Sequence, residues 1–422
     1  MGTGTGSRLR ALADYDVLAL SALIWFLAKF LRYAFPPLFP TFRDAFGVSN
    51  ATLGLAFAAM MAVYAAMQFP SGALADRVGA RAVIVAGASV AGAGALVLAV
   101  PLEAPWALPG IVAGMLLVGL GTGVHKTVAV RLLAREYPAR TGRALGVLDT
   151  LGAVSGVAAP SALVLVSGAL LAGALATVRA PGRAAARAVA ADWRTLFLAG
   201  AVAAGVLAAL FARRVPATTA PGDRPGDAAG GGVGRYLALF RDPAFAAFVA
   251  VTVCFSFAYN GAVAFLPSYL VAAGGLPEAT ASVLYSGLFV VSLVQLATGD
   301  LSDRVGRLPV IGATLALGTL GLVLLLTVSG VVAAGAAVVV FGLGCHGFRP
   351  VRGAYLSAVI PESSAGGGLG VVRTLLMGAG ALSPAVVGWV ADAVGFRAAF
   401  ALLAAAMVAA VAGTGVVAVA DG

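Results

Sequence analysis

The chain has 422 residues, of which 61% are hydrophobic and 10% are charged, and its mean hydropathy is +1.01. A water-soluble domain carries about 25% charged residues, so this composition excludes a wholly soluble protein and indicates that lipid surrounds much of the chain. In a soluble protein, the net charge of +10 would favour nucleic acid as a partner. Here most arginines lie in short segments between apolar runs, where a membrane protein needs them for orientation. We therefore expect no nucleic-acid partner and a chain embedded in membrane lipid.

Apolar runs divide the chain into candidate membrane spans. A helix that crosses a bilayer needs about 20 mostly apolar residues, and six such runs are present in each half of the chain. The sequence predicts spans at residues 15–40, 50–71, 82–101, 108–134, 143–173, 194–212, 243–270, 279–299, 309–328, 331–357, 366–390 and 396–420.

The distribution of arginine orients these spans. If the N-terminus is inside, the inner loops hold most of the loop arginines, among them Arg77, Arg135 and Arg214, and the outer loops hold fewer. Cytoplasmic loops carry an excess of positive charge. The sequence therefore predicts a multi-pass protein of the cell membrane with both termini in the cytoplasm.

A polar segment separates the two halves of the chain. Residues 221–232 are rich in proline and glycine, which is typical of a flexible linker. We expect an N-terminal six-helix unit at residues 1–212, a cytoplasmic linker at 213–240 and a C-terminal six-helix unit at 241–422.

A charged, glycine-bearing motif follows the second span and returns after the eighth span. Its glycines allow a tight turn, and its aspartates lie beside helix ends, where a carboxylate interacts with the dipole of a helix N-terminus. The repeat continues downstream, because Lys126 corresponds to Arg349 and Asp149 corresponds to Arg373. The motif residues are Gly72, Asp76, Arg77, Gly79 and Arg81 in the first copy, and Gly299, Asp303, Arg304 and Gly306 in the second.

The first copy of the motif resembles the loop between the second and third spans of the major facilitator superfamily. The segment leading into it, with Tyr64, Gln68 and Pro70, resembles the organic-anion carriers of that family. The resemblance implies an all-α membrane protein of twelve transmembrane helices, in which two pseudo-symmetric six-helix bundles surround a central cavity. It also implies that the nine motif residues form a gate at the cytoplasmic side. We expect a monomer.

Ionisable residues inside the predicted spans mark a candidate site. Each costs about 2.5–3.5 kcal/mol at membrane depth on insertion scales, so such residues face protein or water and serve function by default. They occur on spans one, four, five, ten and eleven, and the interiors of spans three, six, nine and twelve have none. We predict that the substrate is bound by Lys29, Arg32, Lys126, Arg349 and Arg373, and that charge coupling involves Asp149, His125 and His346.

The charge balance of these residues favours an anionic substrate. Asp149 neutralises one cation, either Lys126 or Arg373, and the remaining cations are left to water, chloride or substrate oxygens. Carboxylate and phosphate oxygens match arginine in a bidentate geometry. Arg352, nearer the end of its span, either lines the cavity or extends to the interface.

These features predict a secondary active transporter that moves a small anion by alternating access, coupled to a proton or a counter-anion. A proton-coupled drug or multidrug efflux transporter and a non-transporting membrane sensor of the same fold remain alternatives. Met115 disfavours drug efflux, because drug/proton antiporters often have arginine at that position. The sequence contains no nucleotide-binding loop, catalytic triad or metal-ligand spacing, so we expect no enzyme activity, no cofactor and no metal site.

Overall fold

The computed structural model describes residues 15–103, 105–166, 192–216, 238–360 and 365–420. Within these ranges the chain is almost entirely helical and contains no β-strand. Most of the predicted linker at 213–240 lies outside the described residues.

The helices of the described chain have the length and composition of membrane spans. Eleven of them are long and apolar enough to cross a membrane, and a bent pair, Asn50–Ala66 with Pro70–Val78, makes a twelfth if it is counted as one span. The members of this pair meet at 46°. Each predicted span overlaps one of these helices, which confirms the prediction of an all-α, multi-pass membrane protein.

In the first half of the chain, several spans are interrupted by a short break and therefore consist of two consecutive helices. The helices are α1 (Asp16–Tyr33), α2 (Phe35–Phe46), α3 (Asn50–Ala66), α4 (Gln68–Val78), α5 (Ala80–Ala99), α6 (Ala107–Gly123), α7 (His125–Glu136), α8 (Thr141–Val166) and α9 (Arg194–Arg214).

In the second half most spans are single continuous helices. The helices are α10 (Pro243–Ala272), α11 (Glu278–Val290), α12 (Val294–Val305), α13 (Arg307–Thr327), α14 (Val331–Val359), α15 (Ala365–Ala393) and α16 (Phe396–Ala420).

Glycines let the third and fourth spans of each half approach each other closely. Where α5 crosses α6, a Cβ atom on Gly94 would lie 2.8 Å from the carbonyl oxygen of Gly114. Where α13 crosses α14, a Cβ atom on Gly344 would overlap the backbone of Gly318. Lipid supplies no hydrophobic driving force between spans, so membrane helices depend on such close backbone packing.

Packing groups the described helices into two compact units. One unit lies within Met1–Ala34 and Val63–Gly222, and the other within Phe35–Ala62 and Asp223–Gly422. Residues 35–62, which the sequence analysis assigns to the N-terminal bundle, thus pack with the second unit. The boundaries 1–212 and 241–422 follow the internal repeat and stay a prediction.

In the second unit, Asp392 at the end of α15 caps the first turn of α3. Its Oδ1 atom accepts hydrogen bonds from the backbone N–H of Asn50 at 3.1 Å and from the Asn50 side-chain amide at 2.7 Å. Its Oδ2 atom accepts from the backbone N–H of Ala51 at 2.7 Å. A helix N-terminus leaves four N–H groups without intrahelical partners, and Asp392 satisfies two of them from a distant part of the chain. One turn earlier, Gly388 leaves room for the carbonyl oxygen of Asn50.

We predict that Asp392→Ala lowers the free energy of unfolding by about 1 kcal/mol, the usual cost of removing a helix cap. Asp392→Asn should retain part of this stability, because an amide oxygen still accepts from one N–H group. Denaturant unfolding of the purified protein in detergent measures both values. Asp44→Ala is the control, since Asp44 is exposed in the same unit and pairs with its neighbour Arg43. An Asp392→Ala variant as stable as the wild type would contradict the prediction.

Candidate functional site

In the first unit, three predicted substrate-binding cations surround one indole ring. Trp25 is buried, with 6% of its surface exposed. The Nζ atom of Lys29 lies 5.8 Å from the ring centroid, Cζ of Arg32 lies 5.6 Å from it, and Nζ of Lys126 lies 5.4 Å from it. Cations within about 6 Å of an aromatic ring are attracted by its quadrupole, and indole is the strongest of the natural rings. Trp25 therefore reduces the cost of holding three positive charges inside spans.

Arg32 is buried and stacks on a second aromatic ring. Its Cζ atom lies 4.0 Å from the centroid of Tyr64, and its Nε atom donates to the carbonyl oxygen of Ala28 at 3.3 Å. Only 8% of the Arg32 surface is exposed. The guanidinium group is thus held in place by aromatic contacts and its own helix.

Lys126 forms an ion pair with Asp149 on the neighbouring helix α8. Sequence analysis left two partners open for this carboxylate, and in the first unit the partner is Lys126. The Lys126 side chain is 22% exposed and the Asp149 side chain is 64% exposed, so another ion can reach the pair.

His125 packs against Trp25 and contacts the backbone of α1. Its ring stacks on Trp25 with centroids 6.1 Å apart, and its Nε2 atom lies 2.8 Å from the carbonyl oxygen of Ser21, one turn before Trp25. Its Nδ1 atom has no hydrogen-bond partner among the described residues. His125 joins the start of α7 to α1, and its predicted part in charge coupling stays a prediction.

Gly152 on α8 provides the space that the indole occupies. A Cβ atom at this position would overlap Nε1 of Trp25 and lie 3.2 Å from Cδ of Lys29. Sequence reasoning missed both Trp25 and Gly152, although the position of Trp25 one turn before Lys29 is a signal that could have identified it.

The second unit has a similar but sparser arrangement around a tyrosine. The Cζ atom of Arg349 lies 5.6 Å from the centroid of Tyr259. The ring of His346, which is buried, lies 6.0 Å from that of Tyr259 and 6.1 Å from that of Phe289. In each unit, therefore, a histidine and a cation on the fourth span approach an aromatic side chain on the first span.

Arg352 belongs with these cations, although sequence analysis left its role open. Its Cζ atom lies 6.0 Å from the ring of Phe255 and 5.8 Å from that of Phe348. Arg349 and Arg373 are both close enough to act on its charge by electrostatic repulsion. Arg373 itself is exposed on α15. The structure thus gathers three guanidinium groups in the second unit.

The predicted gating motif forms an ion pair in its first copy. The Asp76 carboxylate accepts from Nη2 of Arg131 at 2.8 Å and from Nη1 at 3.3 Å. The Nη1 atom also lies 3.5 Å from the carbonyl oxygen of Gly72. The sequence predicted a helix dipole as the partner of Asp76 and missed Arg131, five residues after Lys126 on α7.

The glycines of both motif copies make the same turn, whereas the charged contacts differ. Gly79 and Gly306 have φ of 88° and 93°, which only glycine adopts readily. Arg304 pairs with Asp300 at 2.8 Å, and no ion pair to Asp303 occurs in the described part of the chain. The repeat places Ala354 where the first half has Arg131, so the second copy lacks that partner. Arg77 and Arg304 are exposed. Arg81 follows the turn at Gly79, and Gly299 lies in α12 before the turn at Gly306.

Comparisons with known proteins agree with this architecture. The sequence matches the profile of the Major Facilitator Superfamily over residues 21–348 and again over 275–420. No curated protein matches the chain.

Several solved structures share the fold. A bacterial homolog of the human lysosomal transporter Spinster, in an inward-facing and occupied conformation, aligns with a TM-score of 0.76 and 16% identity, covering 95% of this chain and 96% of that one. The nucleoside transporter NupG aligns with a TM-score of 0.73 and 15% identity, covering 96% and 98%. A D-xylose-proton symporter aligns with a TM-score of 0.71 and 14% identity, covering 95% and 97%.

The multi-pass helical fold and the family match together show a membrane transporter and not an enzyme. The chain belongs to the major facilitator superfamily. The solved relatives carry the names of different substrates, and at such low identity they establish the fold alone. The substrate must therefore be argued from the site residues.

We predict that Gly152→Ala destabilises the protein by about 1–3 kcal/mol, because the added methyl group forces the Trp25 indole and Lys29 to move. Gly146→Ala on the same helix is the matched control. Nothing lies within 4 Å of a Cβ atom there, so this change should be neutral or stabilising by up to about 1 kcal/mol. Unfolding in detergent measures both, and equal stability of the two variants would contradict the packing described for Trp25.

Proposed function

We propose that this chain is a secondary transporter that moves a small anion across the cell membrane by alternating access, with both termini in the cytoplasm. The observation that carries the proposal is the excess of positive charge well inside the described spans. Asp149 is the one carboxylate there, and the cations are Lys29, Arg32, Lys126, Arg349, Arg352 and Arg373.

Aromatic rings lie beside five of these cations, namely Lys29, Arg32, Lys126, Arg349 and Arg352, and make them tolerable without neutralising them. A cation near a ring face keeps its full charge, and a guanidinium group keeps N–H donors for acceptors at its edge. In this proposal the substrate anion supplies the missing negative charge. Asp149 tunes the first unit, because an incoming anion must compete with it for Lys126.

The Asp76–Arg131 ion pair acts in this proposal as part of a gate. It links the last turn of α4 to the middle of α7, the helix that also carries Lys126. A change in the position of α7 during transport would therefore stretch or release the pair. Its asymmetry with the second motif copy suggests that the two copies contribute unequally.

Solute counterflow in proteoliposomes tests the proposal. Purified protein is reconstituted with a panel of monocarboxylates, dicarboxylates, sugar acids, nitrate and phosphate esters, and with neutral and cationic drug-like solutes of similar size. Exchange of at least one anion supports the proposal, and an imposed pH gradient then tests whether a proton is the coupling ion. Exchange of cationic solutes alone would favour drug efflux. No exchange of any solute would favour the sensor.

We predict that Lys126→Gln and Arg349→Gln each weaken binding of a transported anion by about 10- to 150-fold, the range for one lost hydrogen bond to a charged group. The two residues correspond in the repeat, so both effects should be large. Equilibrium binding to the purified variants measures the change, with Arg43→Gln as control, because Arg43 is partly exposed and pairs with Asp44. Normal anion binding in both variants would exclude these residues from the site.

We predict that Asp76→Asn slows transport more than it weakens binding. The substitution removes the charge that Arg131 pairs with, and the pair lies in the turn region rather than beside the Trp25 cluster. Counterflow rate and equilibrium affinity are compared in the same preparation, and Arg131→Gln should reproduce the effect. Equal losses of rate and affinity would place Asp76 in the binding site.

A further inference from the structure

Two arginines of the second unit lie on one face of the same helix. Arg349 and Arg352 are three residues apart on α14, a spacing that makes their side chains neighbours. Both are half-buried and lie seven or more residues before the helix ends. Two guanidinium groups are therefore fixed side by side inside a span.

An aromatic wall lies behind both guanidinium groups. Arg349 approaches the ring of Tyr259 and Arg352 approaches those of Phe255 and Phe348. Phe255 stacks on Tyr259 with centroids 5.8 Å apart and planes 12° apart, and its centroid lies 4.4 Å from that of Phe348. The three rings are thus continuous. They form an apolar surface beside both guanidinium groups, and an aromatic ring offers no carboxylate to pair with them.

No carboxylate of the described residues comes within ion-pair distance of Arg349 or Arg352. The first unit differs, because Lys126 there already has Asp149. Two adjacent like charges on an apolar wall repel each other, and Arg373 adds to that repulsion. An anion bound between them relieves the repulsion, and an anion with two charges relieves it most.

We propose that Arg349 and Arg352 together clasp a tetrahedral head group that carries two negative charges, as in a phosphate monoester or inorganic sulfate. This inference rests on the proposed anion transport and names the class of anion. One planar carboxylate satisfies the fork of one arginine and leaves the second unmatched. A tetrahedral dianion offers three or four oxygens in different directions, so each guanidinium pairs with its own edge of the group.

Methyl phosphate and dimethyl phosphate form a matched pair of probes for the test. Both are tetrahedral, but at pH 8 a phosphate monoester carries two charges, since its second pKa is about 6, whereas the diester carries one. Titration calorimetry on the full-length purified protein measures both affinities, with sulfate and acetate as further probes. We expect methyl phosphate and sulfate to bind at least about ten-fold more tightly than dimethyl phosphate and acetate.

Variants of the two arginines test whether Arg349 and Arg352 cause the preference for a dianion. Arg349→Gln and Arg352→Gln should each reduce the preference for the dianion to a few-fold, while Arg43→Gln leaves it unchanged. Arg352→Lys keeps the charge and loses the fork, so it should weaken methyl phosphate binding and still prefer it to the diester. If Arg352→Gln fails to fold, Arg352→Lys tests the role of Arg352 in its place.

Each outcome separates the inference from the proposed function. If acetate or another monoanion binds as tightly as methyl phosphate, the dianion clasp is overturned and anion transport stands. If the preference survives in both glutamine variants, the clasp lies elsewhere and the inference fails. If no anion binds while a cationic solute does, both proposals fail.

Discussion

A charged side chain inside an apolar span must have a partner or water, because hydrocarbon offers neither hydrogen bonds nor counter-ions. This requirement explains where the chain places its charges. Helices α5, α9, α13 and α16 carry charges only in their terminal turns, whereas α1, α7, α8, α14 and α15 carry them inside. Aromatic rings on α1, α3, α10 and α14, and a glycine on α8, make room for these charges, so composition, packing and site follow from one constraint.

The two halves of the repeat meet this constraint in different ways. In the first unit, Lys126 has a carboxylate partner and shares the Trp25 ring with two other cations. In the second unit, Arg349 contacts a tyrosine and has no carboxylate partner among the described residues. Duplication followed by divergence thus leaves a carboxylate beside the cations of the first unit, whereas no carboxylate of the described residues lies within ion-pair distance of Arg349 or Arg352 in the second.

The sequence was sufficient to predict the helical fold, because membrane helices can be recognised from the length and hydropathy of apolar runs. Each predicted span overlaps a helix of the structure. The sequence also located the cations, since charge in a span is rare enough to stand out. It could not identify Gly152 or Arg131 as partners, because the residues that they contact lie on other helices, whereas the position of Trp25 one turn before Lys29 was a usable signal. Nor could it predict that residues 35–62 pack with the second unit, since a span boundary in sequence says nothing about which neighbours each half of a helix contacts. The two motif copies also differ more than their sequences suggest. Asp76 pairs with Arg131, whereas the corresponding position near Asp303 is Ala354.

In the proposed function, positive charge inside the spans selects an anion. The most direct measurement is the apparent melting temperature of the purified protein with size-matched anionic, neutral and cationic solutes, because a ligand of the folded state raises apparent stability with the logarithm of its saturation. We expect that only anions raise the melting temperature and that Lys126→Gln combined with Arg349→Gln removes the rise. A rise with cationic or neutral solutes, and none with any anion, would contradict this expectation.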